Sequence, residues 1–199
     1  MKKLIVLIIA VLIAAPAFAQ METIFSGRIT NGWYLAPEVK LNDISGETGV
    51  WVGMKGGWII NHSLVIGGAG YGLVSENQKT YFFAPERTRV INCGYGGFLM
   101  EFIMSPRKIA HVTAGVLIGG GGAGHRYIDE YYDYSRDNNL DDAFFALEPN
   151  LGVELNISRY IRAEIGATYL YTSGVDLVDL EDDDLSGATG YFALKFGTF

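Results

Sequence analysis

The sequence predicts an all-β protein, a closed, eight-stranded, antiparallel up-and-down barrel that spans a membrane after a cleaved signal peptide. Three observations predict it. The first 19 residues read as a secretory leader, the rest alternates apolar and polar residues at period two, and no later apolar run reaches helix-spanning length. Only helices and closed barrels satisfy their own backbone hydrogen bonds in lipid, so a membrane protein made from this chain has to be a barrel.

In the leader, Lys2 and Lys3 precede an apolar core from Leu4 to Ala15, and Ala17-Phe18-Ala19 form a small-x-small cleavage site before Gln20. The core is shorter than the roughly twenty residues of a spanning helix, so secretion and removal are expected. Residues 20–32 then read as a periplasmic lead-in and residues 33–199 as the barrel. The only cysteine, Cys93, lies far from the cleavage site, which leaves no acylation site for a lipoprotein and no partner for an intrachain disulfide. The formal charge of −7 becomes −9 without the two leader lysines, which argues against nucleic acid as a partner.

Strand-length segments follow at 33–43, 49–60, 63–74, 88–104, 110–126, 142–156, 160–172 and 187–199. Their links differ in kind. Asn61-His62, Ser105 to Lys108 and Ile157 to Arg159 are short, the link near Ser45-Gly46-Glu47 is brief, and those at 75–87, 127–141 and 173–186 are longer and polar. Short periplasmic turns and longer outer loops are the asymmetry of outer-membrane barrels, and an even strand number returns the chain to the periplasm.

Alternation is cleanest from Ala143 to Ile157, where Phe145, Leu147, Leu151, Val153 and Leu155 share one parity and Phe144, Glu148, Asn150, Glu154 and Asn156 the other. The segments around Phe98, Leu35 and Ile161 repeat it. A soluble lipocalin-like barrel would show the same period, so the second face has to decide. That face carries glycine or aliphatics more often than charge, as at Gly53, Gly57, Gly68, Gly70, Gly115, Gly119 and Gly121. Its charges nearly cancel: Glu38, Glu101, Glu148, Glu154 and Glu164 against Lys40, Lys55, Arg162 and Lys195. Buried charges have to be paired, so this set fits a confined lumen rather than a solvated exterior. The expected first contact is an ion pair between Glu154 and Arg162, placed opposite one another by a turn at 157–159. An eight-stranded barrel has room for filling side chains or one small ligand, and a side-chain-plugged lumen is expected.

No catalytic, cofactor or metal site is expected. Gly119-Gly-Gly-Gly-Ala-Gly124 matches G-x-G-x-x-G, but the aromatic and charged segment after it is not an amphipathic helix, and the glycines suit a strongly coiled barrel. His62, His111 and His125 are too far apart in sequence for an H-x-x-H pair, and Ser63 beside His62 points to the opposite face of a strand. In the outer loops, Asp129, Glu130, Asp133, Asp137, Asp141 and Asp142 lie among tyrosines, and Glu181 to Asp184 are all acidic. Oxygen clusters suit Ca²⁺, yet the spacing matches no EF-hand and a solvated acidic loop is the simpler reading. The tyrosines suit a recognition surface. Arg87, Arg89 and Arg126 near the outer rim could meet lipopolysaccharide phosphates.

The chain closes on Tyr191-Phe-Ala-Leu-Lys-Phe-Gly-Thr-Phe199, an aromatic alternating strand that resembles the terminal assembly signal of outer-membrane barrels, with Phe196 and Phe199 as its aromatic marks. Phe199 falls on the lumenal parity of this strand unless the chain bulges at Gly197. Together with Gly56-Gly-Trp-Ile-Ile-Asn-His-Ser63, this ending resembles small Gram-negative barrels of the OmpA/OmpX type, nearest to stand-alone barrels without a peptidoglycan-binding domain. The resemblance implies the outer membrane as location, with outer-membrane lipid, lipopolysaccharide and the barrel-assembly machinery as partners. It transfers no catalytic residue. The expected function is a non-enzymatic surface barrel whose loops serve adhesion, interaction or envelope integrity; a narrow channel and a lipid-A-modifying barrel enzyme are the alternatives.

Overall fold

The computed structural model describes residues 30–44, 47–75, 78–80, 87–129, 142–177 and 180–199. The segments read as signal peptide and lead-in, up to residue 29, and the loop acids from Glu130 to Asp141 lie outside the described residues. Eight long strands build the fold: β1 (Asn31–Ile44), β2 (Glu47–Ile60), β3 (Leu64–Leu73), β4 (Arg87–Met104), β5 (Ala110–Asp129), β6 (Asp142–Asn156), β7 (Ile161–Ser173) and β8 (Gly187–Thr198). β1 therefore starts within the stretch read as lead-in. The order β3-β2-β1-β8-β7-β6-β5-β4 closes through antiparallel β3–β4 and β1–β8 pairs, so the sheet has no free edge to protect. A short segment, Gln78–Thr80, extends the β3–β4 hairpin beyond the barrel.

Both ends of the described barrel and the turns at 61–63, 105–109 and 157–160 share one rim, the periplasmic end in the usual orientation of such barrels, while the brief β1–β2 link lies at the other. The β2–β3 turn is closed by Ser63 N–H donating to Ile60 O at 3.1 Å, with Asn61 and His62 at φ 51° and 59°. Two successive positive-φ residues match the right-handed twist of the flanking strands, as in a type I′ hairpin.

The period-two pattern is visible in the burial. Along β1 exposed and buried residues alternate without a break, and β6, β7 and β8 follow the same rule with few intermediate positions. Gly68 and Gly70 depart from the sequence reading. They lie on the exterior parity of β3, while Val65, Gly67, Ala69 and Tyr71 share the lumenal one. The run Gly67-Gly-Ala-Gly70 is small on both faces, so residue type there could not tell inside from outside. Two glycine pairs are needed sterically. A Cβ on Gly97 would lie 2.6 Å from the Gly119 Cα across the β4–β5 ladder, and one on Gly57 would lie 3.1 Å from the Gly67 Cα. Such backbone approach is what a narrow, strongly coiled barrel demands.

The exterior is apolar where a soluble barrel would be charged. Val39, Phe192, Ile165 and Val153 lie next to one another in register across β1, β8, β7 and β6 and are all exposed. Trp33, Trp58, Phe102, Tyr160 and Phe196 are exposed toward the periplasmic end, and Phe145, Tyr169 and Tyr171 toward the other. Aromatic girdles around an apolar belt are the exterior of a lipid-spanning barrel. Ile165→Arg, within this belt, is expected to lower stability by about 2–4 kcal/mol, read from guanidinium unfolding in lipid vesicles. A water-facing position would tolerate the change, and unaltered unfolding would contradict the assignment.

Candidate functional site in the barrel lumen

The interior is filled in two layers. The periplasmic half is ionic. All nine charged residues anticipated for the lumen, Glu38, Lys40, Lys55, Glu101, Glu148, Glu154, Arg162, Glu164 and Lys195, are buried there. At its centre the Lys195 ammonium lies 2.6 Å from Glu101 Oε1, 2.7 Å from Glu154 Oε2 and 3.0 Å from Glu164 Oε2. Lys55 Nζ is 2.9 Å from both Glu38 Oε2 and Glu164 Oε2, and Lys40 Nζ is 2.6 Å from Glu148 Oε1 and 3.6 Å from Glu38 Oε1. Arg162 Nη1 reaches Glu154 Oε1 at 2.6 Å. The contacts therefore run as one continuous network from Arg162 to Glu148.

The Glu154–Arg162 pair forms, but not by the register expected. Glu154 faces Glu164 and Arg162 faces Asn156, because Ile157 to Ile161 separate the last β6–β7 pair, two residues more than a turn at 157–159 leaves, with Ile157 and Ser158 N–H both donating to Ile161 O. Two carboxylates thus sit directly opposite one another, an arrangement that repels unless a cation intervenes. Lys195 bridges them from β8, while Arg162 reaches Glu154 diagonally.

Neutral donors complete the shells of Glu164 and Glu148, whereas Glu101 Oε2 has no donor closer than Lys55 Nζ at 3.8 Å. Thr113 Oγ1 donates to Glu164 Oε1 at 2.5 Å and the Tyr191 hydroxyl to the same oxygen at 2.9 Å. Glu148 accepts from Thr168 Oγ1 at 2.8 Å and from the Tyr95 hydroxyl at 3.1 Å. The Lys40 ammonium also lies 3.3 Å from the centroid of the Tyr71 ring, and Lys195 Nζ 4.6 Å from that of Tyr34. His111, not anticipated as a lumenal group, is 2.9 Å through Nε2 from Glu154 Oε1 and 3.2 Å through Nδ1 from Lys108 O. The polar parity of β5 was its one sequence signal.

The outer half is apolar. Ile44, Trp51, Tyr71, Tyr95, Leu99, Leu117, Phe144 and Leu170 pack into one buried cluster, and Trp51 Nε1 donates to Asn42 Oδ1 at 3.1 Å. Val175 and Leu185 of the β7–β8 connection close the cluster from above. A one-turn helix, α1 (Asp182–Leu185), is held over the mouth by Val175 N–H donating to Asp182 Oδ1 at 2.8 Å and Thr172 Oγ1 donating to Asp182 O at 2.9 Å. Where the layers meet, a cavity of about 10 Å³ lined by Lys40, Tyr71, Glu148, Asn150 and Thr168 has room for about one water molecule.

At the periplasmic mouth, Phe196 points outward while Phe199 packs against the small cluster of Tyr34, Ala36, Ile59, Val65 and Ile103, the inward facing expected from its parity. The Phe199 ring stacks 3.9 Å from Arg162 Cζ.

Among the described residues, Glu101, Glu154 and Glu164 come near enough to hold a metal ion. The Lys195 ammonium already lies among their oxygens, where a cation would bind. The side chains of His125, Arg87, Arg89 and Arg126 are outside what the structure describes, although their backbones lie in the outer ends of β4 and β5.

No protein-family model and no curated sequence matches the chain. Among solved structures, the Neisserial surface protein A matches with a TM-score of 0.54 at 10% identity, over 86% of this chain and 99% of that one. The fold is that of a small outer-membrane β-barrel. The Yersinia pestis attachment invasion locus protein Ail (TM-score 0.44, 8% identity, 84% of this chain and 97% of that one) is more distant. So is OprG from Pseudomonas aeruginosa (TM-score 0.46, 7% identity, 86% and 96%). The apolar belt and girdles of this chain are the surface such a barrel presents to outer-membrane lipid.

Proposed function

We propose that the chain is a non-catalytic surface barrel, closed to solute, whose outer loops carry out adhesion, interaction or envelope integrity. Its double closure supports this reading best. An ion would have to separate the Lys195 cluster and then cross an apolar layer roofed by Val175 and Leu185. Excluding water from such a layer while moving a charge through it is strongly unfavourable. The name of the Neisserial structure, a surface protein, is in keeping with the reading. Expected partners are outer-membrane lipid, lipopolysaccharide at the outer rim, and the assembly machinery that would read Phe196 and Phe199.

Purified protein in planar bilayers is expected to be electrically silent at moderate voltage. A stable unitary conductance would overturn the closed-lumen reading in favour of a narrow channel. Lipid A from cells with and without the protein is expected to show the same acylation by mass spectrometry; an altered pattern would establish the enzymatic alternative.

A further inference from the structure

Among the described residues, the acidic groups outside the lumen are confined to one end, while bases occur at both. Every acidic residue among those described belongs either to the lumenal set or to the outer end of the strands, from Asp43 and Glu47 to Asp184. The described periplasmic turns, 61–63, 105–109 and 157–160, contain no acidic side chain and carry Arg107, Lys108 and Arg159, all exposed. Two of these turns are tied together at one corner. Asn156 donates from its backbone N–H to Ile109 O at 2.8 Å, and from Nδ2 to Lys108 O at 2.8 Å and Pro106 O at 3.3 Å. His111 Nδ1 also faces Lys108 O, at 3.2 Å. The bonds hold the 106–109 backbone that carries Arg107 and Lys108 against Asn156, the residue from which the turn carrying Arg159 leaves.

The same corner is apolar to an extent that water would not favour. Ile109 is 78% exposed and Ile157 61%, and Tyr160 is exposed beside them. Above them, Met104, Val112 and Leu155 continue the exposed surface directly into the lipid-facing belt. A soluble polyanion would meet the bases but leave the isoleucines unmatched. A partner that brings phosphate and acyl chains together satisfies both.

We propose that this corner, formed by the β4–β5 and β6–β7 turns, binds an anionic diacyl phospholipid of the periplasmic leaflet. Arg107, Lys108 and Arg159 meet its phosphate, and Ile109, Ile157 and Tyr160 lie in its acyl and glycerol region. Interfacial tyrosine beside cationic side chains is the arrangement that holds a membrane protein at headgroup depth. Each base near an anionic surface contributes about 1 kcal/mol, roughly a fivefold gain in affinity. The inference requires the membrane barrel but is independent of whether the lumen conducts.

Native mass spectrometry of the folded barrel, released from detergent after incubation with phosphatidylglycerol or phosphatidylcholine, tests it. The wild type is expected to retain phosphatidylglycerol at least about tenfold better, and the combined Arg107→Gln, Lys108→Gln and Arg159→Gln variant to within about twofold of phosphatidylcholine. Heat-modifiable gel mobility verifies that the variant is folded. In the wild type itself, raising the ionic strength should collapse the preference, and glycerol 3-phosphate, which lacks acyl chains, should not displace the lipid. The combined Arg87→Gln, Arg89→Gln and Arg126→Gln variant at the opposite end should keep the full preference. The proposal is overturned if the wild type retains both lipids equally, if the turn variant keeps its preference, or if the outer-end variant is the one that loses it.

Discussion

Lys195→Met is expected to destabilise the barrel by about 3–5 kcal/mol, the effect of removing one partner from a buried ionic cluster. Methionine nearly fills the volume of the lysine stem, so little of the loss would come from packing. What disappears is the one ammonium within 3.0 Å of Glu101, Glu154 and Glu164 together. Arg162 still meets Glu154 and Lys55 still meets Glu164, but the carboxylates facing each other across β6 and β7 lose the charge between them. Urea unfolding in lipid vesicles, followed by tryptophan fluorescence, measures the change. Adding Glu154→Gln to Lys195→Met should recover part of it, because the mutual repulsion is then reduced. A loss below about 1 kcal/mol would mean that the cluster behaves as a solvated surface pair and not as a buried one.

How much of this site could be read beforehand depends on which constraint acts. Facing was legible wherever the lipid imposes it. Along β6 and β7 an exterior of Phe145, Leu151, Val153, Ile165 and Tyr169 leaves Glu148, Glu154, Arg162 and Glu164 nowhere to go but inward. It was illegible at Gly68 and Gly70, where neither face has a side chain to be sorted by polarity. Pairing was less legible than facing, since the register depends on turn geometry: two more residues between the last paired positions, Tyr160 and Ile161, moved Arg162 from opposite Glu154 to a diagonal position on the same face. The apolar outer plug was also hidden. Trp51, Tyr95, Leu99 and Leu117 occupy the lumenal parity, where their hydrophobicity blurs the alternation that marks a strand's two sides. Only the closed barrel, which brings side chains of seven strands to one level, shows them as a core.

That core gives the second large effect. Trp51→Ala should lower stability by about 3–5 kcal/mol, since the site is walled by other strands and cannot collapse to fill the space. The indole stands edge-on to Tyr95, with ring centroids 5.2 Å apart, and its Nε1–H is a partner of Asn42 Oδ1. Its removal therefore takes away an aromatic contact and leaves a buried amide oxygen unpaired, each adding to the cavity itself. The same unfolding measurement in vesicles reads the loss. Conductance, however, should stay absent, because the deeper Lys195 cluster is held by its own ion pairs to Glu101, Glu154 and Glu164, even if the Lys40–Glu148 edge of the layer, which meets Tyr95, loosens. A variant that is destabilised yet silent in bilayers would show two independent closures in series. If Trp51→Ala alone opened a steady current, the Lys195 network would have to be a hydrated pathway, and the apolar plug would be the barrel's only gate.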